Sequence, residues 1–502
     1  MARLSGRSRG CGTCRQRRVK CDEQVPECSQ CVRLGKKCPG AITSLIVLEA
    51  TPVNPKKFRP LRGDESKSSY TPSAATGPPD ADIVLGSGTL DPFFSTAVPH
   101  GSATNVYFQQ FMLHTSKACY PFSPEMLSVW SFQEAMRQPA IHFGILSFTA
   151  SHRYYLLREE GTCGETTDQH IQRSFEYRNQ IIRITRASLA EVVLSASAID
   201  SIATMIAWLL SIEAVNSNVT GMGMHVAGLM DFLRSIGGMD GLNHGTISFI
   251  LGVDILSAIV RGTAPAVPWP QKWTAVAINH PAIRILSPVA GHYHPANLQR
   301  GIFRLIGTRF FNASWSRLLD RPLRIAVQNV CRLIIYYESD EQRPPKDKIA
   351  NYSDNDPWML SQRYLLYLSY DHLDLMDIRE PIRRAILVNT MTRYCRFGVF
   401  PCLNTVATDL RNILVTRLEV FKAVAPDLLF WILYTGAMAA RARKTGPLYR
   451  WYCDALATAA VQLALKDWND TQPLLEQFLY VPRAADRLAE DIWRDVTVLR
   501  GR

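Results

Sequence analysis

No apolar run in this 502-residue chain approaches the roughly 18 residues needed to cross a bilayer; the longest, such as Met205–Leu210, fall far short. The N-terminus, MARLSGRSRG, lacks the apolar segment of a signal peptide, so an intracellular protein with no membrane partner is expected. In that setting the Asn-x-Ser/Thr matches at Asn218, Asn312, Asn351 and Asn469 are read as chance. With 47% hydrophobic and 20% charged residues, the composition excludes a fully disordered chain, a collagen-like one and a small disulfide scaffold.

Acidic residues are scarce at one end. Residues 1–62 hold fourteen Lys/Arg against four acids, a local charge of +10, whereas the whole chain is +12. A basic end on a nearly neutral body points to a polyanionic partner for that end alone.

That end also holds six of the twelve cysteines: Cys11, Cys14, Cys21, Cys28, Cys31 and Cys38. Their spacing, C-x2-C-x6-C, repeats at an offset of 17 residues, so the segment is an internal duplication. Disulfides are disfavoured in a reducing compartment. One four-cysteine zinc site would leave two cysteines idle and would not account for the repeat. Structural zinc takes four ligands in a tetrahedron, and six thiolates fill the eight positions of two zinc ions when two of them bridge. Equivalent cysteines of the two triplets are the natural bridging pair.

The segment RGCGTCRQRRVKCDEQVPECSQCVRLGKKCPG resembles the zinc binuclear cluster of fungal transcription factors over Gly10–Gly40 without a gap. The resemblance rests on all six cysteine positions, the basic run Arg15–Lys20, the acidic pair Asp22–Glu23, and Pro26. It implies that Cys11 and Cys28 bridge, that Cys14 and Cys21 complete one zinc site, and that Cys31 and Cys38 complete the other. It also implies two short helix-and-strip halves folded around metal. The aliphatic content agrees, since Val19, Val25, Val32 and Leu34 are the whole supply across residues 10–40. So few cannot offset the chain entropy of ordering about 30 residues at roughly 1–2 kcal/mol each. Zinc must supply the difference.

Positive charge survives metallation. Met1–Gly40 carries ten Lys/Arg and three acids, and six thiolates with two zinc ions remove only two charges, leaving about +5. The densest part, Arg15-Gln16-Arg17-Arg18-Val19-Lys20, lies between two ligands of one site. Arginine can pair bidentately with guanine O6 and N7 in the major groove of double-stranded DNA. The resemblance implies that Arg17 and Arg18 read a CGG triplet, while Arg15 and Lys20 are assigned to phosphates, which position without specifying.

Residues 41–104 change character. Thr51–His100 holds eight prolines and runs such as SKSSYTPSAATGPPD, so a disordered linker is expected. The apolar stretch Ala41–Ala50 is too short for a dimer coiled coil and is stopped by Pro52 and Pro55. The oligomeric state is therefore open.

From residue 105 to residue 502 the pattern is that of an all-α domain. Val226, Leu229, Leu233 and Ile236 share a face, with Gly237-Gly238 as the C-cap. Ile171, Phe175, Ile182 and Leu189 form another apolar face. Further helices are expected at 139–158, 198–215, 246–261, 322–337, 357–377, 380–395, 405–423, 427–443, 447–466 and 483–499, with Pro265, Pro268 and Pro270 as an interruption. The region resembles the helical domain that follows the cluster in one branch of the same fungal family. The carrying residues are Leu90-Asp91-Pro92-Phe93, His225…Gly228…Ile236-Gly237-Gly238, Trp431…Gly436-Ala437, Trp451, Trp468 and Phe478-Leu479-Tyr480.

Little in this domain suggests catalysis. Gly221-Met222-Gly223 lacks a preceding strand and a correctly placed third glycine for a dinucleotide loop. His292-Tyr293-His294 has no partnering ligands nearby, and Cys119, Cys163, Cys331, Cys395, Cys402 and Cys453 are dispersed. Glu213 in an apolar helix reads as a paired structural acid. The expected protein is a nuclear, zinc-dependent regulator of RNA polymerase II transcription. Its cluster (1–40) binds DNA, and its helical domain meets co-regulators or the transcription machinery. An enzyme targeted by a zinc module, or a zinc-stapled adaptor, would use the same residues differently.

Overall fold

The computed structural model describes residues 13–14, 17, 19–22, 28–36, 102–116, 124–191, 193–278, 305–338, 355–370, 374, 377–393, 398–482 and 488–500. The chain divides into two units, Met1–Pro79 and Asp80–Arg502. The stretch 41–101 of the expected linker, Leu90-Asp91-Pro92-Phe93 within it, and the His292-Tyr293-His294 triplet lie outside the described residues.

In the first unit the described helix is α1 (Ser29–Val32), a single turn that starts after the extended Cys28. Its buried side chains are cysteines: Cys14, Cys28 and Cys31 form the core, with Cys21 packed against them. Val19, Val32 and Leu34 are 39–59% exposed, so the few aliphatic residues do not build an apolar interior. The duplication is visible in the backbone. The Val19 N–H donates to the Cys14 carbonyl at 3.0 Å, and 17 residues later the Lys36 N–H donates to the Cys31 carbonyl at 3.1 Å.

The second unit is helical throughout its described residues. Its first group comprises α2 (Ser102–Gln110, continued by a π-turn to Thr115), α3 (Pro124–Arg137), α4 (Pro139–Glu159), α5 (Glu165–Leu189), α6 (Ala196–Val215), α7 (Val219–Ser235) and α8 (His244–Arg261). The short α9 (Gln271–Ala277) and α10 (Arg309–Asn312) precede α11 (Arg321–Glu338) and α12 (Asp356–Tyr367). A second group follows: α13 (Arg379–Arg393), α14 (Pro401–Val415), α15 (Leu418–Val424), α16 (Pro426–Ala440), α17 (Pro447–Gln462), α18 (Trp468–Glu476) and α19 (Leu488–Arg500). Helix α6 packs on α4, α5, α7 and α8, and α16 packs on α13, α14, α17 and α19. The groups meet through α8 against α12 and α14, and share one continuous apolar core.

Helices α6 and α8 are long and apolar enough to cross a membrane, but 83% of each apolar window is buried in the helical core. A helix that is apolar all round and enclosed by other helices is a core helix.

Sequence periodicity located most helices and misjudged some ends. The expected cap of α7 is present: Gly237 and Gly238 take φ of +80° and +107°, and the Gly238 N–H reaches back to the Leu233 carbonyl at 2.8 Å. The helix expected over 357–377 stops at Tyr367, and the one expected over 405–423 is two, broken at Arg417, whose guanidinium donates to the Asp377 and Ile413 carbonyls. Helices α2, α3 and α18 were not among those expected. Helix α18 starts from Asp467, whose carboxylate accepts the Asp470 N–H at 3.1 Å.

The apolar face assigned to α5 is not its buried one. Phe175 and Leu189 are 50% and 48% exposed, whereas Thr167, Ser174, Ile181 and Thr185 are buried. Helix α5 turns this largely polar stripe inward because its partners satisfy it. Ser174 Oγ donates to the Ser147 carbonyl at 2.8 Å, and its hydroxyl also meets Ser151 Oγ at 2.8 Å. Small hydroxyl residues on both sides let α4 and α5 approach closely.

The proline-rich break after α8 is pinned from beneath. The Asp254 carboxylate accepts the Ala266 and Val267 N–H groups at 3.0 Å each. Fully buried Arg363 donates to Asp254 at 3.2 Å and to the Val267 carbonyl at 2.5 Å, with its guanidinium 4.4 Å from the Trp269 ring centroid. Burial pushes the Asp254 carboxyl up, and the two backbone N–H groups and Arg363 oppose that push.

Two predictions follow from the packing. Gly436 on α16 sits under the Tyr452 ring, and a Cβ at that position would overlap ring atoms of a side chain whose hydroxyl donates to the Ala407 carbonyl at 2.7 Å. Gly436→Ala is expected to cost about 1–3 kcal/mol in denaturant unfolding, and a change below about 0.5 kcal/mol would contradict this packing. The second concerns His152, buried against Phe400 and near Thr115 Oγ1 at 3.2 Å. Burial, with a smaller contribution from the charge of His114, pushes its pKa from 6.5 down to about 4. The stability tied to neutral His152 is complete above pH 6.5 and is lost as pH falls toward 4, by up to about 3 kcal/mol. His152→Gln should flatten the stability profile across that window; an unchanged slope would show that His152 does not set it.

Candidate metal centre and nucleic-acid interface

Three cysteines distant in sequence meet in the first unit. Cys14 Sγ lies 3.6 Å from Cys28 Sγ and 4.0 Å from Cys31 Sγ, and all three are buried. A tetrahedral zinc with bonds of about 2.3 Å sets sulfur–sulfur edges near 3.8 Å, so the Cys14–Cys28 spacing suits two ligands of one ion, while the Cys14–Cys31 approach brings together cysteines that the resemblance assigns to different ions. Both distances are far from the roughly 2.05 Å of a disulfide. Cys28 also belongs to a second group with Cys21 and Asp22, whose ligand atoms all lie within 4.8 Å of one another. Of the described cysteines, Cys28 is thus common to both groups. Cys11 and Cys38 lie outside the described residues.

Asp22 has a role that the sequence did not reveal. Both carboxylate oxygens accept the Ser29 N–H at 3.2 Å, and the Ser29 hydroxyl donates to the same carboxylate. An acid from the first repeat therefore caps the first turn of the helix in the second repeat, where exposed N–H groups favour negative charge. A cap seven residues upstream leaves no local capping signature, which is why only the metal frame reveals it. Gly35, with φ +58°, closes the other end of that turn.

Of the residues assigned to DNA, Arg17 and Lys20 are described, and both are exposed. The Arg17 N–H bonds to the Thr13 carbonyl at 3.2 Å, one residue from the buried Cys14, so the basic run leaves directly from the metal-ligand core. Arg15 and Arg18 lie outside the described residues.

The helical unit offers no comparable chemistry among its described residues. Burial pushes the Cys453 thiol up to about 11 and the Cys331 thiol higher still, the opposite of an activated nucleophile. Cys402 is buried, and Cys163 is exposed. Glu213 is the paired acid expected: Arg178 Nε lies 3.1 Å and His225 Nε2 3.8 Å from Oε1, and Asn218 Nδ2 donates to Oε2 at 2.6 Å. Burial would raise its carboxyl, but the bonds from His225 and Asn218 and the charge of Arg178 hold it below the usual value. Gly221 is explained by the same cluster, since a Cβ there would lie 2.8 Å from the Glu213 carboxyl. Gly221 and buried Met222 thus serve packing, while a Cβ on Gly223 would meet no atom within 4 Å.

Among the described residues, a core built of cysteine sulfur and bearing exposed cations defines a metal-stapled module of the zinc-cluster class, accompanied by a separate helical unit. Comparison with known proteins agrees. The family model described as Fungal Zn(2)-Cys(6) binuclear cluster domain matches residues 9–43, and that described as Fungal specific transcription factor domain matches residues 106–321. The chain is similar to the Aspercryptin biosynthesis cluster-specific transcription regulator atnN of Emericella nidulans, at 60% identity over 38 residues. That likeness covers 7% of this chain and 6% of the relative's length. No solved structure matches the chain. The chain therefore carries a fungal Zn(2)-Cys(6) binuclear cluster domain followed by a fungal specific transcription factor domain. The cluster domain implies two zinc ions per chain, and the cysteine grouping fits them.

Chelating zinc from the full chain should unfold the first unit and leave the helical signal and melting of the second unchanged. Limited proteolysis around residues 13–36, before and after chelation, checks this; a protease-resistant segment in the metal-free chain would contradict it.

Proposed function

We propose that the chain is a nuclear, sequence-specific DNA-binding regulator of RNA polymerase II transcription that reads CGG-type triplets in double-stranded DNA. The observation that carries this reading is that Arg17 and Lys20 of the basic run are exposed beside the buried cysteine core. Zinc holds Cys14 and Cys21, and so fixes both ends of the stretch bearing Arg15, Arg17, Arg18 and Lys20. In this reading Cys11 and Cys28 bridge the two ions, Cys14 and Cys21 complete one tetrahedron, and Cys31 and Cys38 complete the other. Arg17 and Arg18 contact guanine edges; Arg15 and Lys20 contact phosphates.

The domain boundaries that go with it are 1–40 for the cluster, 41–104 for the linker and 105–502 for the regulatory domain. The likeness to a cluster-specific regulator is confined to 38 residues, so it bears on DNA binding and leaves the regulated genes unassigned. Partners beyond DNA, meaning co-regulators or the transcription machinery, would meet the helical domain.

Arg18→Ala is expected to cost about 1–3 kcal/mol on a CGG site and to relax triplet preference. Equal loss on scrambled DNA in the same titration would reduce Arg18 to a phosphate contact. Wild-type affinity should fall with salt at a log–log slope of about −0.9 per phosphate neutralised. A flat salt response would overturn the electrostatic account.

A further inference from the structure

Helices α5 and α7 stand apart over α6 and leave an open groove of about 630 Å³. Its apolar lining comes from Ile182 and Leu189 of α5, Ile206 and Leu209 of α6, and Met224 and Phe232 of α7. The α6 residues are buried and form the floor, while Met224 and Leu189 stand 63% and 48% exposed at the lips. This is the flank of α5 whose apolar residues the sequence suggested were core.

Gly228 lies on the α7 wall of the groove, in the interior of the helix, where glycine is unfavourable relative to alanine. Gly221 on the same helix is explained by contact with Glu213, but a Cβ on Gly228 would meet no atom within 4 Å. Among the described residues nothing requires a glycine there. Its effect is outward: it removes bulk from one wall and lets another backbone approach α7 closely.

Charge distinguishes the occupant. From Arg173 to Leu189, α5 carries four arginines and one acid, Glu176. Arg178 is held by Glu213, and Asp231 on the opposite wall is held by Arg234 at 2.8 Å. Arg186 lines the groove, and Arg183 lines an adjoining concavity with Arg186 and Glu176, so the α5 rim keeps a net positive charge. An apolar floor, a close-approach glycine and a cationic rim fit an amphipathic helix laid along the groove with acidic residues on its flank.

We propose that the α5–α7 groove docks an acidic amphipathic helix of a partner protein, with the helix backbone crossing at Gly228 and its carboxylates facing Arg183 and Arg186. This deepens the reading of the chain as a regulator by giving its helical domain a contact surface. The groove can be tested without DNA, so failure of either proposal is visible separately.

The test uses the full-length chain and two labelled 16-residue helical peptides. Both place Leu at every third or fourth position; one has Glu on the remaining face, and the other has Lys. Anisotropy titrations should show the Glu peptide binding at least tenfold more tightly than the Lys peptide. Gly228→Leu should weaken the Glu peptide at least tenfold while leaving Tm unchanged or higher, because leucine is the better helix former. Arg186→Glu should erase the preference for Glu over Lys. Equal binding of the two peptides, no binding of the Glu peptide, or undiminished binding by Gly228→Leu would each overturn the proposal. Self-association of the unliganded chain that Gly228→Leu abolishes would assign the groove to a second copy and overturn the partner helix.

Discussion

Thiolate–zinc bonding is the interaction on which the first unit depends. The described interior there is made of cysteine sulfur, and Val19, Val32 and Leu34 face solvent. Ordering about 30 residues at roughly 1–2 kcal/mol each is more than the four aliphatic side chains of residues 10–40 can offset. Metal coordination has to supply that free energy, and it also fixes the chain on either side of the basic run. Folding and recognition therefore share one cause in this unit: the bonds that close the tetrahedra hold the arginines in place.

The helical unit is stabilised in the ordinary way, by a continuous apolar core, and its polar interior is structural. Asp254 with Arg363 pins a proline-rich segment, and Glu213 ties α5 to α7 through Arg178 and His225. Glu213 is the structural acid that its apolar helix suggests. Each acid is held by cationic and hydrogen-bonding partners, which suits a strut better than a proton carrier.

Legibility differed sharply between the two units. The cysteine spacing specified a metal site because ligand number and geometry tolerate few alternatives, and the 17-residue duplication reappears as matched backbone hydrogen bonds. Helix positions in the second unit were legible wherever an apolar stripe was long, as in α4, α6, α8 and α16. The buried side of α5 was not, because Ser147, Ser151 and Ser174 satisfy one another across the contact and hydrophobicity does not mark the interface. Phe175 and Leu189 were read as core for the same reason. Asp22 as a cap was hidden by distance along the chain, since only folding around metal brings it to Ser29.

The central claim is that two zinc ions sharing sulfurs organise the residues around Cys14, Cys28 and Cys31. X-ray absorption at the zinc edge of the full-length, zinc-loaded protein tests it most directly. The account predicts two zinc ions per chain, an all-sulfur first shell of four at about 2.3 Å, and a short metal–metal shell that only bridging thiolates produce. One zinc per chain, nitrogen or oxygen in the first shell, or an absent metal–metal shell would contradict it.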